Sequence, residues 1–269
     1  MVNKKAKSWF KTIYALLMYI FLYLPIVVMI VFSFNSSKYK GSFEGFTLRW
    51  YQELFRDKAI LNSVTTTFIV AISAAVLATL IGTVTAVAIS NLKPRYRAIL
   101  LNFSYIPMVN PDIVIGISLL SLFVFLKMEL GYITLILAHI TFNIPYVIFA
   151  VLPKIKQLDK NLEEAALDLG ATPSQAFFKV ILPELVPGIM TGFMLSLTMS
   201  LDDFIVSFFT TGSGVSTLSI KIYSMTKRGV SPKINALSSI LFVITMLIVL
   251  IPQLKGWRSE KKASIYNVR

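Results

Sequence analysis

Three carboxylates stand where a carboxylate is costly. Asp112 lies in Asn110-Pro111-Asp112-Ile113, and Asp202 and Asp203 lie in Ser200-Leu201-Asp202-Asp203-Phe204, each inside a long apolar run. An ionisable side chain at membrane depth costs about 2.5–3.5 kcal/mol on insertion scales, which makes all three functional candidates. Two chemistries suit them. Carboxylates lining a conduit neutralise a passing cation, whereas an anion pathway would use Arg, Lys or helix N-termini at that depth. Alternatively, paired Asp on facing helices cleave peptides, as in an intramembrane aspartyl protease. The flanking Gly motifs of such proteases, GxGD among them, are absent. A third, purely structural reading pairs each acid with buried Asn, Ser, Thr or a partner subunit. Neighbouring residues on a helix point about 100° apart, so one of Asp202 and Asp203 is expected on the pathway. The other is expected against a neighbouring helix or a polar backbone group.

The composition restricts what can hold these residues. Of 269 residues, 56% are hydrophobic and 14% are charged, and the mean hydropathy is +0.74. A soluble domain carries about 25% charged residues, so this chain lacks the polar surface for one. With no Cys and one His, disulfides, thiolate metal sites, multi-histidine metal centres and His-based catalytic relays are all excluded or disfavoured. No metal site and no catalytic residue is expected. None of the 12 glycines precedes a Lys, so no G-x-x-x-x-G-K-[ST] phosphate loop exists and any ATP must be bound by a partner.

Six windows are long and apolar enough to span a bilayer: 12–34, 63–90, 98–126, 132–153, 187–209 and 236–254. The chain is therefore expected to be an all-α, polytopic membrane protein, a single transmembrane domain over 1–269. The distribution of the 26 Lys and Arg residues orients it. Lys4, Lys5, Lys7 and Lys11, the cluster Lys93, Arg95 and Arg97, and the basic C-terminus fall on one side, placing both termini in the cytoplasm. The net charge of +13 is then explained by topology and anionic membrane lipid, and nucleic-acid binding is not expected. In this topology Asp112 and Asp202 sit at a similar level, about 21 Å of helical rise from the cytoplasmic ends of their spans.

The inside stretch 154–186 is unlike a simple connector. Asn161-Leu162-Glu163-Glu164 approaches a capping box, and Leu162, Ala165, Ala166 and Leu169 form an apolar stripe ended by Gly170. Thr172-Pro173-Ser174-Gln175 is a second capping box, opening a short helix expected to stop at Pro183. Two capped helices around a Gly turn make a knob suited to a groove on another protein.

The string EAALDLGATPSQAFFKVILP, Glu164 to Pro183, resembles the EAA loop of binding-protein-dependent ABC importer permeases. Glu164, Ala165, Ala166, Gly170, Ile181, Leu182 and Pro183 carry the match. The resemblance implies the six-helix, type I ABC importer permease (MetI-like) fold in a bacterial inner membrane, with this loop docking into an ATP-binding subunit dimer. Pro173-Ser174 departs from the acidic residues common there, which favours capping and could alter pairing with the ATPase. The strings NPDIVIGISLL, AHITFNIPYV, LSLTMSLDDFIVSFFTTG and KIYSMTKRGVSPKINAL are similar to the permeases of spermidine/putrescine importers. This implies polyamine uptake alongside a second homologous permease and an extracellular polyamine-binding protein, with Trp50, Asp112, Ser200, Asp202 and Asp203 serving recognition or translocation. An alternative cargo is another small solute, such as an iron, opine or amino-acid derivative.

Three further features have two readings each. Phe46, Trp50, Tyr51, Leu54 and Phe55 form either an interfacial helix or an entrance where Trp50 meets an ammonium group. His139, among Thr and Asn, is read as a hydrogen-bonded packing residue, with proton coupling the lesser option. Gly188 and Gly192 form a GxxxG that packs helices closely, within the chain or toward the partner permease.

Overall fold

The computed structural model describes residues 2–37, 42–159, 161–227, 229, 232–247 and 250. The helices in chain order are α1 (Val2–Phe32), α2 (Arg49–Arg56), α3 (Lys58–Ser90), α4 (Pro94–Val109), α5 (Asp112–Phe125), α6 (Tyr132–Gln157), α7 (Leu162–Asp168) and α8 (Pro173–Ala176). A π-helical turn (Phe177–Ile181) follows, then α9 (Leu182–Asp202), α10 (Ile205–Thr210), α11 (Leu218–Lys227) and α12 (Pro232–Leu247). Among the described residues the extended pairing is one antiparallel bridge, Asn35 with Phe46.

Among the described residues, four stretches are long and apolar enough to cross a membrane: Lys11–Phe32, Lys58–Ser90, Tyr132–Gln157 and Pro173–Asp202. The expected span 98–126 is instead a bent pair. α4 and α5 meet at 105° across Asn110 and Pro111, and counting the bent pair as one span would bring the crossings among the described residues to five. Pro111 lacks the N–H that would continue the ladder and holds the preceding residue extended, so the helix stops at Val109. The expected span 187–209 also breaks, with α9 ending at Asp202 and α10 beginning at Ile205. Of the sixth window, 236–254, the described part lies on α12, shorter than a full crossing, and most of its last residues lie outside the described ones.

The chain forms two compact units, one from the described parts of Met1–Leu61 and Ile222–Arg269, the other from Asn62–Lys221. In the first, Asn35 organises the loop after α1. Its Nδ2 donates to the Ser42 carbonyl at 2.8 Å, its Oδ1 accepts the Glu44 N–H at 2.9 Å, and its carbonyl accepts the Trp50 indole N–H at 2.7 Å. Phe34 stacks on Phe46 and on Tyr51. At the entry to α3, Asp57 Oδ1 accepts the N–H groups of Ala59 and Ile60, while Oδ2 takes Lys233 Nζ at 2.6 Å.

In the second unit, α6 is the hub. Ala78, Ala86 and Ile89 of α3 pack with Val147, Ile148 and Val151 of α6. α9 lies along the same helix, so closely that a methyl at Gly192 would come within 3.1 Å of Val147 Cγ1 and 3.2 Å of its Cα. Gly188 and Gly192 therefore act within the chain, fitting α9 onto α6. Gly192→Leu is expected to cost about 1–3 kcal/mol by overpacking, read as a lower melting temperature in detergent. Gly131→Ala, where added atoms meet nothing within 4 Å, is the control and should melt as the parent does.

The Lys233 hydrogen bond holds the Asp57 carboxyl below its usual 3.8, helped by the Ile60 N–H, the Lys233 charge and the Ala59 N–H, and opposed by burial. Because the folded value is depressed, this stabilisation is complete above pH 3.8 and is lost as pH falls through the lower folded value. Asp57→Asn should cost about 1 kcal/mol at pH 7. It should also remove the part of the acid-induced drop in melting temperature that this carboxylate causes.

Candidate functional site

The two helix breaks place the acids. Asn110 and Pro111 are extended, so Asp112 begins α5 in its first turn, where the N-terminal partial charge favours a carboxylate. Asp203 is extended between α9 and α10 and turns its carboxylate back over the start of α10. Its Oδ2 accepts the Ser207 N–H at 2.7 Å and its Oδ1 accepts the Val206 N–H at 3.2 Å. Asp202 ends α9, beside carbonyls that lack intrahelical partners, and so lies at the negative end of that helix.

All three line one open cavity of about 350 Å³, with Phe142 and Tyr146 of α6, Met199 of α9, and Phe204, Ile205 and Val206. Among the described residues, no Lys, Arg or His lines it. Asp112 and Asp202 are exposed, and the Asp203 side chain is only 9% exposed. The break lets both neighbours reach the cavity, which a continuous helix would not allow. It also separates them, because Asp203 is committed to backbone donors.

α6 holds the break from behind. His139 Nε2 is 2.9 Å from Ser207 Oγ and 3.5 Å from Asp203 Oδ2, and Asn143 Nδ2 donates to Ser200 Oγ at 2.7 Å. Ser200 is thus buried against Asn143 rather than set on the cavity wall. Trp50 belongs to the other unit, where it is 3% exposed, gives its indole N–H to Asn35 and carries the Arg49 guanidinium 5.6 Å over its ring. Trp50 and Leu54 of the short α2 face inward, whereas Phe46 and Phe55 of the same expected face are exposed. Sequence reasoning missed Tyr146 and Phe142 as wall residues and the link from His139 to Asp203. The two-turn spacing of His139, Asn143 and Tyr146 along one helix was the available signal.

The EAA stretch forms the expected knob with changed boundaries. Gly170 has φ +85°, the left-handed turn after α7. The second capping box is present: Thr172 Oγ1 accepts the Gln175 N–H at 3.3 Å and Gln175 Oε1 accepts the Thr172 N–H at 3.1 Å. Asn161, by contrast, makes no side-chain cap and is itself helical in conformation. Pro183 does not stop the second helix. In the π-helical turn before it the Leu182 N–H reaches back five residues to the Phe177 carbonyl, and this widened turn accommodates the missing N–H of Pro183 as the helix continues into α9. Glu164, Ala165 and Pro183 are exposed, Ala166 is buried, and Ile181 and Leu182 are half-buried. Of the apolar stripe, Leu162 and Ala166 pack inward, whereas Leu169 is 90% exposed.

Residues 78–254 match the family described as binding-protein-dependent transport system inner membrane component. The spermidine/putrescine transport system permease protein PotC of Escherichia coli (strain K12) is 41% identical over 251 residues, 93% of this chain and 95% of that protein. The putrescine transport system permease protein PotI of the same strain is 37% identical, over 95% of this chain and 94% of that one. A crystal structure of a bacterial ABC transporter involved in the import of the acidic polysaccharide alginate aligns with a TM-score of 0.72 at 16% identity, covering 95% of this chain and 96% of that one. That likeness shows the fold, the one expected of a type I ABC importer permease. These relatives are transport components, which leaves no place for the protease reading. Helix breaks bearing acids, an EAA knob and matches along nearly its whole length agree: the chain belongs to the binding-protein-dependent inner membrane components, the permease subunits of ABC importers.

Proposed function

We propose that the cargo of this permease is a polyamine of the spermidine or putrescine kind. One observation carries this: three carboxylates and three aromatic rings line a single cavity with no basic residue among the described residues of its wall. The fold does not choose the cargo, since the structural neighbour involved in alginate import serves an acidic polymer. A polyamine is a chain of ammonium groups joined by methylene segments. Carboxylates neutralise the charges, aromatic faces attract ammonium by about 0.5–2 kcal/mol, and apolar wall atoms cover the methylenes. PotC and PotI, both polyamine permeases by name, support the same cargo.

In this reading an extracellular polyamine-binding protein delivers the cation, and a second homologous permease completes the conduit. Two ATP-binding subunits supply the energy and hold the nucleotide. Both termini lie in the cytoplasm with the knob at 159–183, whose Glu164, Ala165, Ala166, Gly170 turn and Ile181-Leu182-Pro183 exit form the contact with the ATPase. Closing of the ATPase dimer moves the knob, and the helices bearing Asp112 and Asp202 reorient between outside and inside.

In proteoliposomes holding the complete importer, Asp202→Asn and Asp112→Asn are each expected to lower spermidine uptake about tenfold or more while the complex still assembles. Normal uptake by both would remove the charge-neutralisation mechanism. Competition decides the cargo: excess spermidine or putrescine should suppress labelled uptake, and an iron, opine or amino-acid derivative should not. Leu169→Asp leaves nothing buried unsatisfied, so it should shift chain stability by no more than about 0.5 kcal/mol. It should nonetheless weaken ATPase co-purification and uptake, and intact coupling would remove Leu169 from the contact.

A further inference from the structure

His139 is the one histidine in the chain and is 1% exposed. It stands on α6 behind the cavity wall, with the Phe142 ring at 5.1 Å. Nε2 has two polar neighbours, Ser207 Oγ at 2.9 Å and Asp203 Oδ2 at 3.5 Å, whereas Nδ1 is buried with no hydrogen-bond partner among the described residues. An imidazolium would leave a buried N–H donor unmet at Nδ1, and the Nδ1–H tautomer would do the same. The neutral ring with its proton on Nε2 leaves only an acceptor unmet. That proton goes to Ser207 Oγ, which leaves the hydroxyl hydrogen free to turn toward a carboxylate. One helical turn along, Asn143 grips Ser200. α6 therefore fastens both sides of the α9–α10 break, His139 on the α10 side and Asn143 on the α9 side.

We propose that His139 is a positioning residue of the cation site: through Ser207 it holds Asp203 over the start of α10 as the fixed carboxylate of the cavity. Asp202 is thereby the partner left to pair with cargo. The proposal rests on the cavity being a cation site. It divides the labour between two adjacent acids that the sequence makes look equivalent. Asp203 already has two backbone donors, one of them from Ser207, and His139 Nε2 3.5 Å from its Oδ2, whereas Asp202 is exposed at the unfavourable end of its helix.

With one histidine per chain, labelling this subunit alone with [15N]histidine yields a single imidazole in solid-state NMR of the complete importer in lipid, purified without histidine tags. At pH 7.5 the expected pattern is neutral imidazole protonated on Nε2. An Nδ1–H tautomer or an imidazolium overturns the proposal. In uptake, His139→Leu should fall about tenfold with the complex recovered intact, and His139→Gln, which keeps an N–H donor, should stay within about threefold of wild type. His139→Leu combined with Asp203→Asn should fall no further than Asp203→Asn alone, because both remove the same element. Multiplying losses, or wild-type uptake by His139→Leu, also overturns it. If the wild-type importer takes up no spermidine, the cargo reading fails by itself, and the tautomer still decides the role of His139.

Discussion

Inside a bilayer every polar group must find its partner within the protein, because no water is available to take its place. This chain meets that constraint by breaking helices where it carries charge. A continuous helix would satisfy its own backbone and offer an embedded carboxylate nothing. A broken one creates new helix starts with free N–H groups, and two of the three acids stand at them. Asp112 takes the N-terminal turn of α5, and Asp203 takes the first amides of α10. Asp202 is left at the opposite pole, where the free groups are carbonyls. An acid and a set of carbonyl oxygens repel one another until a cation joins them, so the least satisfied residue is the one best suited to a transient partner.

The breaks would be loose without a rigid support. α6 provides it along its length, with Val147 and Val151 packed among the alanines of α3 and, one to two turns earlier, His139 and Asn143 hydrogen-bonded across to the break. Small residues make the support close. Gly82 of α3 and Gly192 of α9 both abut Val147, so three backbones converge on one side chain. The contrast with α1 is instructive. None of its spanning window is buried within the chain, and Tyr14, Phe21 and Leu22 all point outward. Such a surface suits lipid or another subunit.

Much of this was written locally. Apolar runs located the long helices, Gly170 marked a left-handed turn, and Thr172 with Gln175 spelled out a capping box in four residues. Asp112, Asp202 and Asp203 were identifiable because burying charge is costly wherever it happens, and the structure does bring them to one cavity. What could not be read was how backbone breaks redistribute roles. Hydropathy is blind to a bend, so 98–126 read as one span although Pro111 turns it by 105°. Trp50 was read as part of an apolar face with Phe46, Tyr51, Leu54 and Phe55, yet its indole N–H goes to the Asn35 carbonyl, a tertiary contact with no local signature. The pairing of His139 with Ser207 and Asp203 spans more than sixty residues of sequence, and only packing reveals it.

The widened turn at Phe177–Ile181 has one more effect. By absorbing Pro183 it removes any joint between the cytoplasmic knob and the transmembrane helix, so Pro173 to Asp202 runs as 30 residues of unbroken helix, about 45 Å long. A stiff rod transmits displacement without a delay and without a slack loop to take up the stroke. In the proposed importer its inner end is the surface an ATPase would push. Its outer end is Asp202, so in the proposed importer the stroke of the motor and the tilt of the cargo's counter-ion are the two ends of a single solid body.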